Sequence, residues 1–180
     1  GILQFFIAND GMFGLDFDQP RAQDGFRVHY HAEPSQDAND LKSSFTFLPS
    51  FEEDTPFPAQ TSYALDFSLE EEYLGPPDYR FDQLYPEDFL AQFGDDQEEI
   101  MDFFYELGSK ASGHKLGGYA FFTQYDTREP AENFQLLFQL DSDNKIDCMW
   151  GDMGIANFFI SPEDLKALRF DRVLYNWDCA

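Results

Sequence analysis

The chain has 180 residues, enough for one domain with a sizeable hydrophobic core. Its 35 acidic and 11 basic residues give a formal net charge of −24, and 18% of the residues are aromatic. The aromatic content excludes a disordered acidic tail, because disorder combines high charge with few aromatic side chains. The charge argues against binding to nucleic acid or to anionic membranes, and it favours cations or a basic protein.

Two parts of the chain resemble each other. Residues 1–7 match residues 154–160 at five positions, and residues 26–30 resemble residues 171–175 in the same order. Only the connecting loop differs in length. We therefore predict a mainly β fold (β-rich α+β), a pseudo-duplicated β-roll with two or three short helices.

This interpretation divides a single domain, residues 1–180, into three parts. Residues 1–48 are the end of the first pseudo-repeat, residues 49–112 are a strand plus a helical insert, and residues 113–180 are the second pseudo-repeat. The chain opens inside a predicted strand, so we interpret it as truncated at its N-terminus.

The middle part predicts one strand and two helices. Residues 63–69 alternate apolar and polar side chains, which is typical of a strand. Pro86 is expected in the first position of a short helix that ends at Gly94. A second helix is expected to begin at Asp95 as its cap and to end at Gly108. Its apolar face has i, i+3, i+4, i+7 spacing and comprises Ile100, Phe103, Phe104 and Leu107.

The last part predicts further strands and one more helix. Residues 119–124 and 134–140 are short apolar runs that indicate strands. Ser161 is expected to cap the final helix, with Leu165 and Leu168 pointing inward.

A candidate metal site lies at the end of the first pseudo-repeat. In a strand, His29, His31 and Glu33 project from one face. Two imidazoles and a carboxylate are the ligands of a facial metal triad. The alternative is a polar, solvent-facing strand surface.

A candidate ligand site is predicted in the second pseudo-repeat. His114 and Lys115 precede paired glycines, and Asp141 and Asp143 lie in a polar turn that lacks the residues of a calcium loop. The alternative is ordinary turn chemistry, in which these side chains bond to nearby main-chain groups. The whole predicted set is His114, Lys115, Asp141, Asp143, Trp150 and Asp152.

Cys148 and Cys179 are the only cysteines, and they form no Cys-x-x-C pattern or disulfide framework. Free thiols are typical of a reducing compartment, so we expect a cytoplasmic protein. Neither cysteine lies in a recognisable catalytic context, and no phosphate-binding or dinucleotide-binding fingerprint is present. The sequence identifies no enzyme and no cofactor.

Five motifs occupy residues 1–18, 113–119, 136–143, 150–154 and 157–160. These motifs resemble the bacterial YwqG-like family, a domain of unknown function. The resemblance spans essentially the whole chain, and it implies a β-rich roll with duplicated halves and a further stretch before Gly1. It implies no activity.

Together these observations favour a binding or interaction module that engages a basic protein, with an immunity-type role as a hypothesis. The alternative is a metal-dependent enzyme or small-ligand binder that uses a His/Asp/Glu cluster. A purely structural accessory domain is a third possibility.

Overall fold

The computed structural model describes residues 1–47, 55–57 and 62–180. About 23% of the chain is helical and 20% is in strands, so the fold is mixed α+β. The prediction that strands dominate is wrong, because residues 63–69 and 119–124 pair with no strand among the described residues. A strand needs a partner for its main-chain hydrogen bonds, and an alternating sequence does not supply one.

Within the described residues, five strands form two antiparallel sheets. The first sheet pairs β1 (Ile2–Ile7) with β2 (Phe26–His31). The second has the order β3–β4–β5, formed by β3 (Gln135–Asp141), β4 (Ile155–Ile160) and β5 (Leu174–Asp178). The β1–β2 and β4–β5 pairs lie where the sequence segments resemble each other, but duplication and a roll architecture remain predictions.

In the part of the chain that the structure describes, four short helices accompany the sheets: α1 (Arg80–Leu84), α2 (Glu87–Ala91), α3 (Gln97–Ser109) and α4 (Pro162–Lys166). Single 3₁₀ turns occupy Ala38–Asp40, Gly94–Asp96, Pro130–Glu132 and Phe170–Arg172. Within the described ranges, no helix has the length and apolar character needed to cross a bilayer.

The ends of the predicted helices shift by a residue or two. Pro86 precedes α2 as its cap, and Asp96 rather than Asp95 precedes α3. Ser161 is confirmed as the cap of α4, since its hydroxyl accepts the Asp164 amide at 3.1 Å. Leu168 lies beyond α4 and is 53% exposed, so its predicted inward position is wrong.

The prediction that Gly108 ends its helix is wrong. It lies inside α3 and is buried. Its main chain packs directly on that of Gly75, so closely that a methyl group on either glycine would overlap the other's Cα atom. Gly108 is therefore present for close packing and not for helix termination.

The main core lies between the two sheets. Phe5 on β1 contacts Phe138 and Phe158 with ring centroids 4.7 and 5.0 Å apart, and Phe158 stacks on Tyr175 at 4.7 Å. The burial of alternate residues in β1 and β2 fixes which face of this hairpin packs inward. A second core covers the opposite face of the larger sheet and comprises Ala120, Phe122, Phe134, Leu136, Phe159 and Leu174.

Candidate functional site

His114 lies near the end of β3, where both of its ring nitrogens are engaged. Nδ1 accepts the main-chain amide of Asp141 at 3.1 Å, and Nε2 lies 3.4 Å from Asp143 Oδ2. Because Nδ1 accepts, Nε2 carries the proton. Neither nitrogen is free to take a proton from a substrate, which a general base requires.

The ammonium group of Lys115 is also fully hydrogen-bonded. Its ammonium group donates to Glu72 Oε1 at 2.9 Å and to the main-chain oxygens of Ala111 and Tyr119. These bonds account for its three protons. Burial lowers the pKa of Lys115, although the bond to Glu72 opposes this effect. The Lys115 side chain therefore links its own loop to Glu72.

The remaining members of the predicted set stabilise turns. Asp141 Oδ2 accepts the Gly113 amide at 2.7 Å, and the buried Trp150 donates its main-chain amide to Ser142 Oγ at 2.9 Å. Asp152 lies exposed in the next turn. The structure thus brings His114, Asp141 and Asp143 together, as a hydrogen-bonded junction between a loop and the sheet. Ligand binding at this junction stays a prediction.

His29 and His31 share the outward face of β2, with ring centroids 4.3 Å apart. His31 Nε2 is hydrogen-bonded to Gln4 Oε1 at 2.7 Å, and Glu33 lies beyond the end of the strand. Across the described ranges, no group of three or more His, Cys, Asp or Glu residues is placed to hold a metal ion. The structure gives the predicted metal set no support.

A groove of about 480 Å³ lies beside β2. Its polar walls bond to each other: Gln23 donates to the Phe170 oxygen at 2.7 Å and accepts the Val28 amide at 2.9 Å. Asp171 on the groove wall is held by Arg169 at 3.0 Å. The groove is therefore open, and the side chains of Gln23 and Asp171 on its walls are already hydrogen-bonded within the protein.

The acidic segment, residues 62–71, is an exposed part of the described chain. It has no helix, turn or bend, and every residue in it is exposed. Its main chain makes no hydrogen bond to any residue that the structure describes. Four alternate apolar side chains are open to solvent: Tyr63 at 48%, Leu65 at 68%, Phe67 at 73% and Leu69 at 101% exposure.

A segment whose main chain bonds to no described residue can serve as a template for another strand. If it adopts strand conformation, side chains two residues apart project from the same side. Asp66, Glu70 and Glu71 add three carboxylates, and no basic residue lies within the segment. Its chemistry combines main-chain hydrogen bonding, an apolar row and negative charge.

A buried row of amide side chains crosses the larger sheet and was missed from the sequence. Gln139 on β3 lies opposite Asn157 on β4, which lies opposite Asn176 on β5. All three side chains are buried. The available signal was a single polar residue in the middle of each apolar strand, but only the strand register places the three in one row.

This amide row holds the covering segment, residues 120–124, onto the sheet. Gln139 Oε1 accepts the Phe121 amide at 2.8 Å, and Asn157 Nδ2 donates to the Phe121 oxygen at 2.9 Å. At the end of β5, Asp178 Oδ2 accepts the amides of Thr123 and Gln124 at 3.0 and 2.8 Å. These side chains replace the strand partner that residues 119–124 lack.

A buried ionic cluster was also missed from the sequence. Arg128 is bonded to Asp126 at 2.6 Å and to Asp78 at 2.7 Å, and its guanidinium lies 4.6 Å from the centre of the Phe159 ring. Burial raises the pKa of Asp78, but the Arg80 hydrogen bond and the Arg128 charge outweigh it and hold that pKa below its usual range. Every charge is paired, so the cluster is structural.

A family model described as a domain of unknown function, DUF1963, matches residues 1–179. The chain belongs to this family. No curated protein matches it. The description of DUF1963 states no activity, so the function of this DUF1963 chain has to be argued from its own residues. Among the sites described, the His114 loop and the ionic cluster are internally satisfied, whereas the acidic segment is not.

Proposed function

We propose that this DUF1963 chain is an interaction module that binds an extended, basic segment of a partner protein along the acidic segment. The observation that carries the proposal is the row of four exposed, alternating apolar side chains on an unpaired stretch of chain. We also propose that, within DUF1963, the protein is a YwqG-like member, and the motifs quoted above support this part of the proposal.

Strand addition is the binding mode that fits this segment. Partner main-chain groups would pair with its free amides and carbonyls, while partner side chains would cover its apolar row. Ten residues in strand conformation span about 33 Å, long enough for several hydrogen bonds. Soluble proteins rarely leave a contiguous apolar row open to water unless it is an interaction site.

Charge decides the kind of partner. The acidic segment has three carboxylates, and the whole chain has a formal net charge of −24. A second copy of the chain would be repelled, whereas a basic partner would be attracted and steered toward the segment. An immunity-type role in the cytoplasm, in which the protein masks a basic partner, is the physiological setting that we propose.

No comparable observation supports the competing function as an enzyme or a small-ligand binder. His114 has no free ring nitrogen, and Lys115 has no free proton. A ligand at this junction would have to break existing hydrogen bonds before it formed its own.

A titration with a labelled peptide of alternating lysine and valine residues tests the proposal. We expect fluorescence anisotropy to show binding that weakens as sodium chloride is raised, because salt screens the charges. A peptide of alternating glutamate and valine is the matched control and should not bind. Equal binding of both peptides, or binding of neither, would contradict the proposal.

Paired variants locate the binding surface. The double variant Leu65→Ser, Phe67→Ser should weaken binding of the lysine–valine peptide on the order of tenfold or more, because it removes two apolar contacts. The control is Phe17→Ser, Leu84→Ser, which changes two residues of similar exposure elsewhere. If both double variants weaken binding equally, the acidic segment is not the binding surface.

The carboxylates are tested in the same way. Glu70→Gln, Glu71→Gln should weaken binding and flatten its salt dependence. Glu98→Gln, Glu99→Gln in α3 removes an equal amount of charge from another exposed position and should have little effect. An equal loss in both variants would indicate that total charge alone attracts the peptide.

A further inference from the structure

Two histidine side chains lie close together on the outward face of β2. The ring centres of His29 and His31 are 4.3 Å apart, and the ring planes are inclined by 61°. His29 is exposed and borders the groove of about 480 Å³ beside β2, so a ligand can reach its ring from solvent. Glu33 lies beyond the end of the strand, so the imidazole pair stands without the carboxylate of the predicted triad.

A hydrogen bond from the neighbouring strand orients the His31 ring. Gln4 lies opposite His29 on β1, and its Oε1 atom is 2.7 Å from His31 Nε2. Because an amide oxygen only accepts hydrogen bonds, Nε2 carries the proton and Nδ1 keeps its lone pair. Metal-binding histidines donate their second ring nitrogen in this way, which fixes the ring and makes the ligand nitrogen more basic. His31 is therefore in the form that binds a metal ion through Nδ1.

The distance between the two rings matches one coordination geometry. A metal ion bound at roughly 2.0–2.1 Å from an imidazole nitrogen lies about 3.2 Å from the ring centre. Two rings in cis positions, about 90° apart, then have centres about 4.5 Å apart, whereas tetrahedral positions separate them by about 5.2 Å. The observed 4.3 Å fits the cis arrangement. Rotation of a ring about its Cβ–Cγ bond redirects the nitrogens but hardly moves the centre, so this match does not depend on the ring rotamer.

We propose that His29 and His31 form a two-imidazole site for a divalent transition-metal ion that prefers tetragonal geometry, such as Cu²⁺ or Ni²⁺. Water or donor groups of a bound partner complete the coordination from the open groove. Arg27 projects from the same face of β2, but its guanidinium is bonded to the Gln23 oxygen at 3.1 Å. The formal net charge of −24 attracts cations to the whole chain. The site is separate from the acidic segment and does not rest on the function proposed for it.

Pulsed electron paramagnetic resonance of the protein with one equivalent of Cu²⁺ tests the site, because the spectrum counts the bound imidazoles. The protein carries no affinity tag, and excess Mg²⁺ occupies its surface carboxylates. We expect two imidazoles in the native protein and one in each of the variants His29→Gln and His31→Gln. The control is His114→Gln, which changes the remaining histidine of the chain and should keep both imidazoles. No bound imidazole in the native protein, or a count that falls only in His114→Gln, would overturn the proposal.

Isothermal titration calorimetry with Ni²⁺, in the same excess of Mg²⁺, measures the affinity of the site. We expect His29→Gln to weaken Ni²⁺ binding by at least about tenfold, because one metal–nitrogen bond is lost. Gln4→Leu should weaken it by a smaller factor, since Gln4 only orients the His31 ring. Gln4 and His29 are both exposed, so neither change disturbs the core. A His29→Gln protein that binds Ni²⁺ as tightly as the native protein would refute the site.

Discussion

Arg128 shows how a single residue can stabilise the junction between distant parts of this chain. Its side chain is fully buried, and it pairs with Asp78 and Asp126, which are 1% and 3% exposed. Arg128→Ala would leave the buried Asp126 carboxylate without a cation and leave Asp78 with Arg80 alone. We expect the free energy of unfolding, measured by urea denaturation, to fall by about 3–5 kcal/mol.

Arg169 provides the matched control. It pairs with Asp171 at a similar distance of 3.0 Å, but both side chains are largely exposed. Water solvates these charges in either state, so Arg169→Ala should hardly change the stability. Equal losses in the Arg128 and Arg169 variants would mean that burial of the ionic cluster is not what makes it important.

Asp178 predicts an unusual dependence of stability on pH. Burial raises the pKa of its carboxyl group, although hydrogen bonds from Thr123 and Gln124 lower it in part. The folded state therefore binds this proton more tightly than the unfolded state does. The resulting stabilisation is complete below the unfolded pKa of about 3.9 and is lost as the pH rises through the raised folded value.

Asp178→Asn removes this titration and keeps an oxygen that accepts both amides. We expect the variant to be more stable than the native protein at pH 7, with the difference shrinking toward pH 4, in urea denaturation at a series of pH values. Asp152→Asn at an exposed position is the control. A variant that is less stable at pH 7, with an unchanged pH slope, would contradict this account.

At the scale of elements, α3 is positioned by the contact between Gly108 and Gly75. Gly108→Ala places a methyl group against the Gly75 main chain, which has no flexible end to move aside. We expect a loss of about 1–3 kcal/mol in thermal or chemical denaturation. Gly11→Ala, where the added carbon meets nothing within 4 Å, should leave the stability almost unchanged. Similar losses at both glycines would argue against this packing.

Elements with a strong local pattern were predictable, whereas those that depend on a partner were not. The apolar runs of β1, β3 and β4 are found as strands, and Ser161 caps α4 as expected. Residues 63–69 have the alternation of a strand but no partner in the described chain. A short helix such as α1 carries too little periodicity for the sequence to reveal it.

The candidate sites were likewise predictable only in part from the sequence. His114, Asp141 and Asp143 belong to the predicted ligand set, but the hydrogen bonds that His114 makes to the other two residues depend on the folded geometry. The amide row depends on the register of three strands. One sequence shows neither register nor solvent exposure, and so it could not distinguish the bonded Lys115 from the unpaired acidic segment.

For the whole molecule, the charge predicts an effect of salt on stability. The formal net charge is −24, so the excess acidic side chains repel one another more strongly in the compact state than in the unfolded chain. Sodium chloride should therefore raise the melting temperature at pH 7, measured by circular dichroism. The increase should largely vanish near the sequence pI of about 4.1, where the net charge is small. A melting temperature that salt does not change at pH 7 would contradict this expectation.

Hydrogen–deuterium exchange along the acidic segment, with and without the lysine–valine peptide, tests the proposed function most directly. In the free protein we expect residues 62–71 to exchange as fast as an unstructured chain, because their amides are unpaired. Saturating peptide should slow exchange at every second amide of the segment, since an added strand bonds to one edge only. Slow exchange already present without peptide, or protection that appears elsewhere while residues 62–71 remain fast, would contradict the account.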